Sequence, residues 1–384
     1  IIIMSAPFLY HSVEPENSKA TYGEYDNVDF VMNFEGRKLV CNTVRLEGSI
    51  RVSPVEITGT GTVADPKRVN KQIYIDPSIG VHSVVDSIQT SVLTLGTVEN
   101  FNGYARYVGM TEDTTTNHND MYNSENLSEL KFPMLEMLPA VLTGEASINN
   151  PDLNNPNSFS FKPQFILNTA SEVNGQGLGM SFNKSGTIRV VFSLARINDV
   201  VFGNDVDNAT TYSLTNLRLV FTSIPEDGVK NNTLHKVKYH IKQSILSRTT
   251  NISSNIPAKC SAVSCSFITQ ARENTQKDNS NNRETYPDLQ ELQFLFNNNT
   301  NEYITYQIRD NDEVLLRYLQ SMGKMSKHSR TQLIALAGKN SYGVGLDFQG
   351  MVDLSSQTFN VVLNSNSDID PMSIHLYFHS MIQV

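Results

Sequence analysis

Histidine is the residue type in this chain best suited to metal binding or acid–base work, and the chain has eight. Their spacing argues against both roles. His375 and His379 share one face of a C-terminal strand, but the intervening residues separate them by roughly 13 Å, too far to share a metal. His235 and His240 fall on opposite faces of an extended segment. All four read as structural. The three cysteines, Cys41, Cys260 and Cys265, are an odd number and cannot form a disulfide framework. Cys260 and Cys265 lack the spacing of a zinc or redox pair, and no second pair completes a four-ligand site. They are expected to be small buried apolar groups in a reducing compartment. Asp205-Val-Asp207-Asn208 opens like a calcium loop, yet no Gly stands at the sixth position and no Glu at the twelfth. The run Gly175-Gln-Gly-Leu-Gly179 lacks the strand–turn–helix context of a dinucleotide site and reads as a flexible turn. Asn-x-Ser/Thr triplets begin at Asn126, Asn183, Asn208, Asn231, Asn251 and Asn298, as chance provides in a chain rich in these residues. No catalytic residue, metal site or cofactor is expected.

Charge supplies one further candidate. In His235-Lys-Val-Lys-Tyr-His-Ile-Lys242, an extended backbone puts Val237, Tyr239 and Ile241 on a core face and Lys236, Lys238, His240 and Lys242 on the other. A second basic group, Lys324, Lys327, His328 and Arg330, follows a helix. Such a stripe is either a solvated or ion-paired face, or a contact for anionic lipid head groups or an acidic minor protein. The whole chain carries a formal charge of −9. It would be repelled by phosphate backbones, so direct nucleic-acid binding is not expected.

The elements that must carry these residues are strands. Val44, Leu46, Ile50 and Val52 alternate with Arg45, Glu47, Ser49 and Arg51, which places one face in a core. Ile188, Val190, Phe192 and Leu194 repeat the pattern, as do Leu217, Leu219 and Phe221, then Phe359, Val361 and Leu363, then Ile374, Leu376 and Phe378. So many strands between loops rich in Asn, Gly, Pro and Ser predict antiparallel sandwiches. Helical spacing is clear only over Asn311 to Met322, through Leu315, Tyr318, Leu319 and Met322, with Gly323 as a stop. A weaker helix is expected within Ser128 to Leu138.

At 384 residues the chain suits two domains. The turn-forming cluster Ile224-Pro-Glu-Asp-Gly228 places their boundary. The expected division is an N-terminal arm over 1–23, a first sandwich over 24–225, a linker over 226–233 and a second sandwich over 234–384. Thr111 to Asn126, Ile148 to Ser158 and Ala271 to Pro287 read as long polar loops projecting from one end of the sandwiches. The apolar start, Ile1 to Tyr10, lacks the basic flank and the apolar run of a secretory signal. No segment approaches the ~20 apolar residues that span a bilayer, and the chain is expected to be soluble until it assembles.

Two stretches carry a resemblance. One runs Gly80-Val-His-Ser-Val-Val-Asp-Ser-Ile-Gln-Thr90, then Gly96-Thr-Val-Glu-Asn-Phe-Asn-Gly-Tyr-Ala-Arg-Tyr107. The other runs Tyr342-Gly-Val-Gly-Leu-Asp-Phe348, then Gln357-Thr-Phe-Asn-Val-Val-Leu363. Together with Phe192-Ser-Leu194, Val201-Phe-Gly203 and Leu217-Arg-Leu-Val-Phe221, their order resembles the double jelly-roll major capsid proteins of membrane-containing bacteriophages, adenovirus-like viruses and large eukaryotic DNA viruses. The resemblance covers the chain from about Tyr25 onward. It implies an all-β fold of two tandem eight-stranded jelly rolls with short inserted helices. It also implies a structural protein of the virion, assembled in a host cytoplasm or an equally reducing compartment. Three chains would form a pseudo-hexagonal capsomer tiling an icosahedral shell, beside neighbouring capsomers and minor capsid or penton proteins, over what is often an internal lipid membrane. On this reading Ile1, Ile2, Ile3 and Phe8, with Lys236, Lys238 and Lys242, are expected to touch the inner face or membrane. The alternatives are a minor vertex or spike protein, or a two-jelly-roll glycan-processing enzyme or lectin. The last pair is weakened by the absence of Trp and of a carboxylate pair at telling spacing.

Overall fold

The structure, a computed structural model, describes residues 8–34, 36–53, 57–58, 68–69, 73–93, 95–115, 128–131, 157–169, 186–226, 234–296, 303–307, 311–323 and 341–383. The first half forms β1 (Leu9–Val13), β2 (Asn27–Asn33), β3 (Arg37–Leu39), β4 (Arg45–Ser53), β5 (Ile57–Thr58), β6 (Arg68–Val69), β7 (Tyr74–Ile75), β8 (Val85–Val92), β9 (Gly96–Asn102), β10 (Asn157–Phe161), β11 (Thr187–Leu194), β12 (Val201–Phe202) and β13 (Thr211–Pro225). Helix α1 (Tyr104–Thr115) follows β9, and the short α2 (Ile197–Val200) follows β11. The second half forms β14 (Leu234–Ile245), β15 (Thr249–Ser254), β16 (Lys259–Thr269), β17 (Leu289–Phe296), β18 (Tyr303–Gln307), β19 (Val344–Asp353), β20 (Phe359–Ser365) and β21 (Met372–Gln383). Here the short α3 (Gln270–Glu273) follows β16, and α4 (Asn311–Ser321) follows β18.

Each half is a two-sheet sandwich, and the two halves share one strand order. In the first, β1-β13-β4-β10 faces β2-β11-β8-β9; in the second, β14-β21-β16-β19 faces β15-β20-β17-β18. Counting the eight sandwich strands of each half from its start, both give first-eighth-third-sixth over second-seventh-fourth-fifth. That is the antiparallel jelly-roll order, in which the first and last strands pair. The period-two pattern produces it physically. Leu46, Ile50 and Val52 of β4 are sealed from water opposite Leu214 and Leu219, while Arg45, Glu47 and Arg51 face outward. Ile188, Val190, Phe192 and Leu194 of β11 and Ile374, Leu376 and Phe378 of β21 are buried in the same way. The helix expected over 311–322 is α4, which buries Val314, Leu315, Tyr318 and Leu319.

Two expectations need correction. Leu9 to Val13, set within an N-terminal arm, forms β1 and pairs with β13 from Leu9 opposite Ser223 to Val13 opposite Leu219, as the edge strand of the first sandwich. The loop after β16, expected to project, lies against the first sandwich: Ser280 and Asn281 are buried, and the Gln276 carbonyl accepts the Gly203 N–H at 3.2 Å. Besides these corrections, the resembling Gly80 run begins with a 3-10 turn, Gly80–Val84, and the Tyr-rich stretch after β9 is one of the short inserted helices, α1. Most of the weaker helix expected at 128–138, most of the two other polar loops, the Gly175–Gly179 run and the basic group at 324–330 lie outside the described residues. No helix among the described residues is long and apolar enough to cross a membrane.

Candidate functional site

The most heavily built polar region is the contact between the two sandwiches. It starts from the alternation in β14 and β21. Val237, Tyr239 and Ile241 point into the second sandwich, so Lys236, Lys238, His240 and Lys242 line its outer face. β21 pairs with β14 in a register that sets His379 beside Lys238, Tyr377 beside His240, and His375 beside Lys242. These residues form one mixed aromatic and cationic surface, and β9 and α1 of the first sandwich cover it. Tyr377 lies 5.2 Å from the ring of Tyr107 and 6.5 Å from that of Phe101, and its hydroxyl donates to the Gly103 carbonyl at 2.8 Å. His379 lies 5.9 Å from Tyr107. Lys238 places its ammonium 5.3 Å from the centre of the Phe101 ring and 4.9 Å from that of Tyr107. A desolvated cation over an aromatic face is worth about 2 kcal/mol.

Glu273 on α3 is the electrostatic hub. Its Oε2 accepts from Ser373 Oγ at 2.6 Å, and its Oε1 lies 2.9 Å from Lys242 Nζ, 3.1 Å from His375 Nε2 and 3.6 Å from an Arg106 Nη2. Burial alone would raise this carboxyl, but the hydrogen bonds from His375, Ser373 and Lys242 and the charge of Arg106 hold it well below the usual carboxylate range. His375 in turn meets His240, Nδ1 to Nε2 at 3.0 Å, with the rings stacked 5.2 Å apart. The carboxylate can only accept, so His375 carries its proton on Nε2, and its bare Nδ1 accepts from His240 Nε2–H. Both imidazoles are neutral in this arrangement. Burial pushes His240 down to about 4 and His375 well below its ordinary value, with Arg106 adding to both.

The loop after α3 clasps the first sandwich. The buried Arg106 on α1 donates to the carbonyls of Asn282, at 2.7 Å, and Ser280. Ser280 Oγ donates to Asp199 Oδ1 at 2.7 Å, Asn281 to the Asp199 carbonyl at 2.7 Å, and Asn279 to Asp76 at 2.9 Å. Deeper in the contact, burial raises the Glu99 carboxyl and lowers the Lys238 ammonium, each partly offset by the other's charge. An open cleft of about 360 Å³ remains beside the hub, lined by Tyr25, Asp86, Arg196 and Asn102 among others. No group of three or more His, Cys, Asp or Glu among the described residues has the geometry to hold a metal.

No protein-family model matches the sequence, and no curated protein matches it. Solved structures do. The Faustovirus major capsid protein superposes with a TM-score of 0.62 at 8% identity, over 98% of this chain and 90% of that one. PBCV-1 VP54, fitted into a reconstruction of the virophage Sputnik, gives 0.57 at 10% identity, over 99% and 95%. The structure of the Sputnik virophage gives 0.54 at 9% identity, over 99% and 87%. The fold is the double jelly roll of viral capsid proteins. At these identities the likeness is one of architecture, and it extends along nearly the whole of both chains.

The double jelly roll reassigns the expected site residues. Lys238 is 4% exposed and lies inside the contact between the jelly rolls, so it is no surface group. Lys242 is half exposed and ion-paired to Glu273; Lys236 is exposed at the margin, its carbonyl accepting from Thr169. Lys238 therefore belongs to an internal joint, with Lys236 and Lys242 at its exposed margin. Phe8 is 57% exposed at the start of β1, and Ile1, Ile2 and Ile3 lie outside the described residues. Sequence reasoning missed Arg106, Glu273 and Tyr377. A signal was available: the face of β21 opposite the core reads His375, Tyr377, His379, bulky polar groups suited to cover by another surface.

Proposed function

We propose that the chain is a major capsid protein, a structural, non-enzymatic subunit of an icosahedral virion. Three copies form a capsomer whose six jelly rolls stand in a pseudo-hexagon. The observation that carries this reading is that two jelly rolls of identical strand order are joined by a contact between unlike surfaces. The β9–α1 side of the first meets the outer face of β14-β21-β16 in the second. A contact between unlike surfaces, repeated from copy to copy, closes into a ring when its rotation permits. The face of the first jelly roll equivalent to the covered one, on β1-β13-β4, carries Tyr10 at 68% exposure and Arg218 with its side chain 56% exposed. It is the surface on which the next copy's second jelly roll would sit.

The same reading gives neighbouring capsomers and minor capsid or penton proteins as further partners. It leaves the N-terminal residues before β1, Phe8 among them, to be covered by a neighbouring subunit or an underlying membrane. The test is the solution mass of the purified chain by light scattering. Three chain masses are expected for the wild type, and one for the Tyr10→Asp, Arg218→Glu variant. A wild-type chain that stays monomeric at high concentration overturns the proposal.

A further inference from the structure

We propose that the histidines of the joint between the jelly rolls make it an acid-operated latch, closed near neutrality and released as they take up protons. The placement is the first observation. Of the described histidines, His11 and His82 belong to the first jelly roll, whereas His240, His375 and His379 lie on the one outer face of β14 and β21 that the first jelly roll covers, and His235, on the other face of β14, is buried beside Ile166 of the first jelly roll. Nothing in strand formation demands this, since imidazole on a solvated face would serve no better than Ser or Thr.

The second observation is the hydrogen-bond relay. His240 Nε2–H donates to His375 Nδ1, and His375 Nε2–H donates to Glu273. The nitrogen of His375 that would take a proton is already occupied as an acceptor, so a proton there deprives the His240 Nε2–H of its partner and forces the relay to rearrange. The charged groups facing the relay also discourage a proton. Arg106 approaches from α1 and Lys242 from β14, with Arg283 from the loop further out. The one carboxylate in contact, Glu273, is already engaged by Ser373 and Lys242. Asp199, paired with Arg196 on α2, and Asp86 on β8 stand at the cleft margin. His379 faces Lys236 and Lys238, and His235 is buried against the first jelly roll near Ile166.

The sign follows. A histidine held neutral in the closed joint regains its ordinary affinity for protons when the jelly rolls part. The closed state is then fully favoured above pH ~6.5 and loses ground as pH falls from there toward the closed-state value. For His240, held near 4 when closed, the open state gains roughly 30-fold at pH 5. Glu99 and Asp86, whose carboxyls burial raises, act in the opposite sense, two groups against the four histidines.

The latch is a property of the chain, while a role in opening a shell rests on the capsid reading. A wild-type chain found monomeric at pH 7.5 removes the second and leaves the first to its own experiment. That experiment is energy transfer between dyes on Leu93→Cys and Leu246→Cys, exposed positions on the two jelly rolls, in a Cys41→Ser background of the full chain. A single narrow distance is expected at pH 7.5, with a broader and longer distribution by pH 5 that reverses on neutralisation. The His240→Gln, His375→Gln variant keeps two amide donors and should shift the midpoint down by about a pH unit or more. Should it not fold, His379→Gln, outside the relay, must still lower the midpoint. A wild-type distance unchanged down to pH 5, or a midpoint identical in the variants, overturns the latch.

Discussion

Substituting Gly103 by Ala should cost far more than its exposure suggests, because this residue is where the two jelly rolls touch backbone to side chain. Its φ of +62° is in the left-handed region, and a Cβ there would lie 2.7 Å from His240 Cε1 and 2.9 Å from Nε2. Retreat of the imidazole toward the cleft is opposed by its stacking on Tyr377 at 4.8 Å and its bond to His375 at 3.0 Å. The left-handed backbone costs an alanine about 1–2 kcal/mol, and overpacking adds about 1–3 kcal/mol, so Gly103→Ala should lose about 2–5 kcal/mol. Gly96 is the internal control. Its φ is +76°, yet nothing lies within 4 Å of a Cβ built on it, so Gly96→Ala should show the backbone cost of about 1–2 kcal/mol alone. Urea unfolding of both variants measures the difference. Adding His240→Ala to Gly103→Ala should recover part of the packing cost, a coupling that separate sites cannot show. Equal losses for Gly103→Ala and Gly96→Ala, or strictly additive behaviour with His240→Ala, would refute the claim that the jelly rolls pack here.

Two further outcomes follow from burial. In a double-mutant cycle at these two buried groups, Lys238→Met and Glu99→Gln should each destabilise by about 1–3 kcal/mol, and the double variant by less than their sum, because each charge offsets part of the other's burial cost; additive losses in urea would contradict the coupling. Native-state titration with a thiol reagent at pH 7.5 should find Cys41 reactive and Cys260 and Cys265 inert until denaturant is added, since both are sealed and burial pushes the Cys260 thiol up to about 12; more than one reactive thiol in the folded chain would contradict it.

Much of the architecture was legible because period-two alternation is a local property. Val190, Phe192, Ile374 and Leu376 declare their faces without knowledge of any partner, and the i, i+3, i+4 spacing of Leu315, Tyr318 and Leu319 does the same for α4. β1 was not legible. Leu9-Tyr-His-Ser-Val13 is short and weakly alternating, and it is a strand only because β13, some two hundred residues away, offers an edge. Helix α1 carried a readable signal in Tyr104, Tyr107, Val108 and Thr111, offset by the strand preference of Tyr and Val. The joint was misread for a different reason. Lys and His on the outer face of a strand are ordinarily solvated, and only the docking of β9 and α1 turns that face into an interior. The loop at 271–287 likewise looked like a projecting tip by its Asn and Ser content, whereas those side chains are the groups that bond Asp76 and Asp199 across the joint.

The central claim, that this chain contributes two equivalent jelly rolls to a six-lobed building block, is tested most directly by single-particle electron microscopy of the purified oligomer near neutral pH. The account predicts a ring of six similar lobes with three-fold symmetry, alternate contacts within and between chains involving the same two kinds of surface, and Tyr10 and Arg218 buried between copies. Isolated two-lobed particles, or a symmetric assembly in which the outer face of β1-β13-β4 remains in solvent, would contradict it.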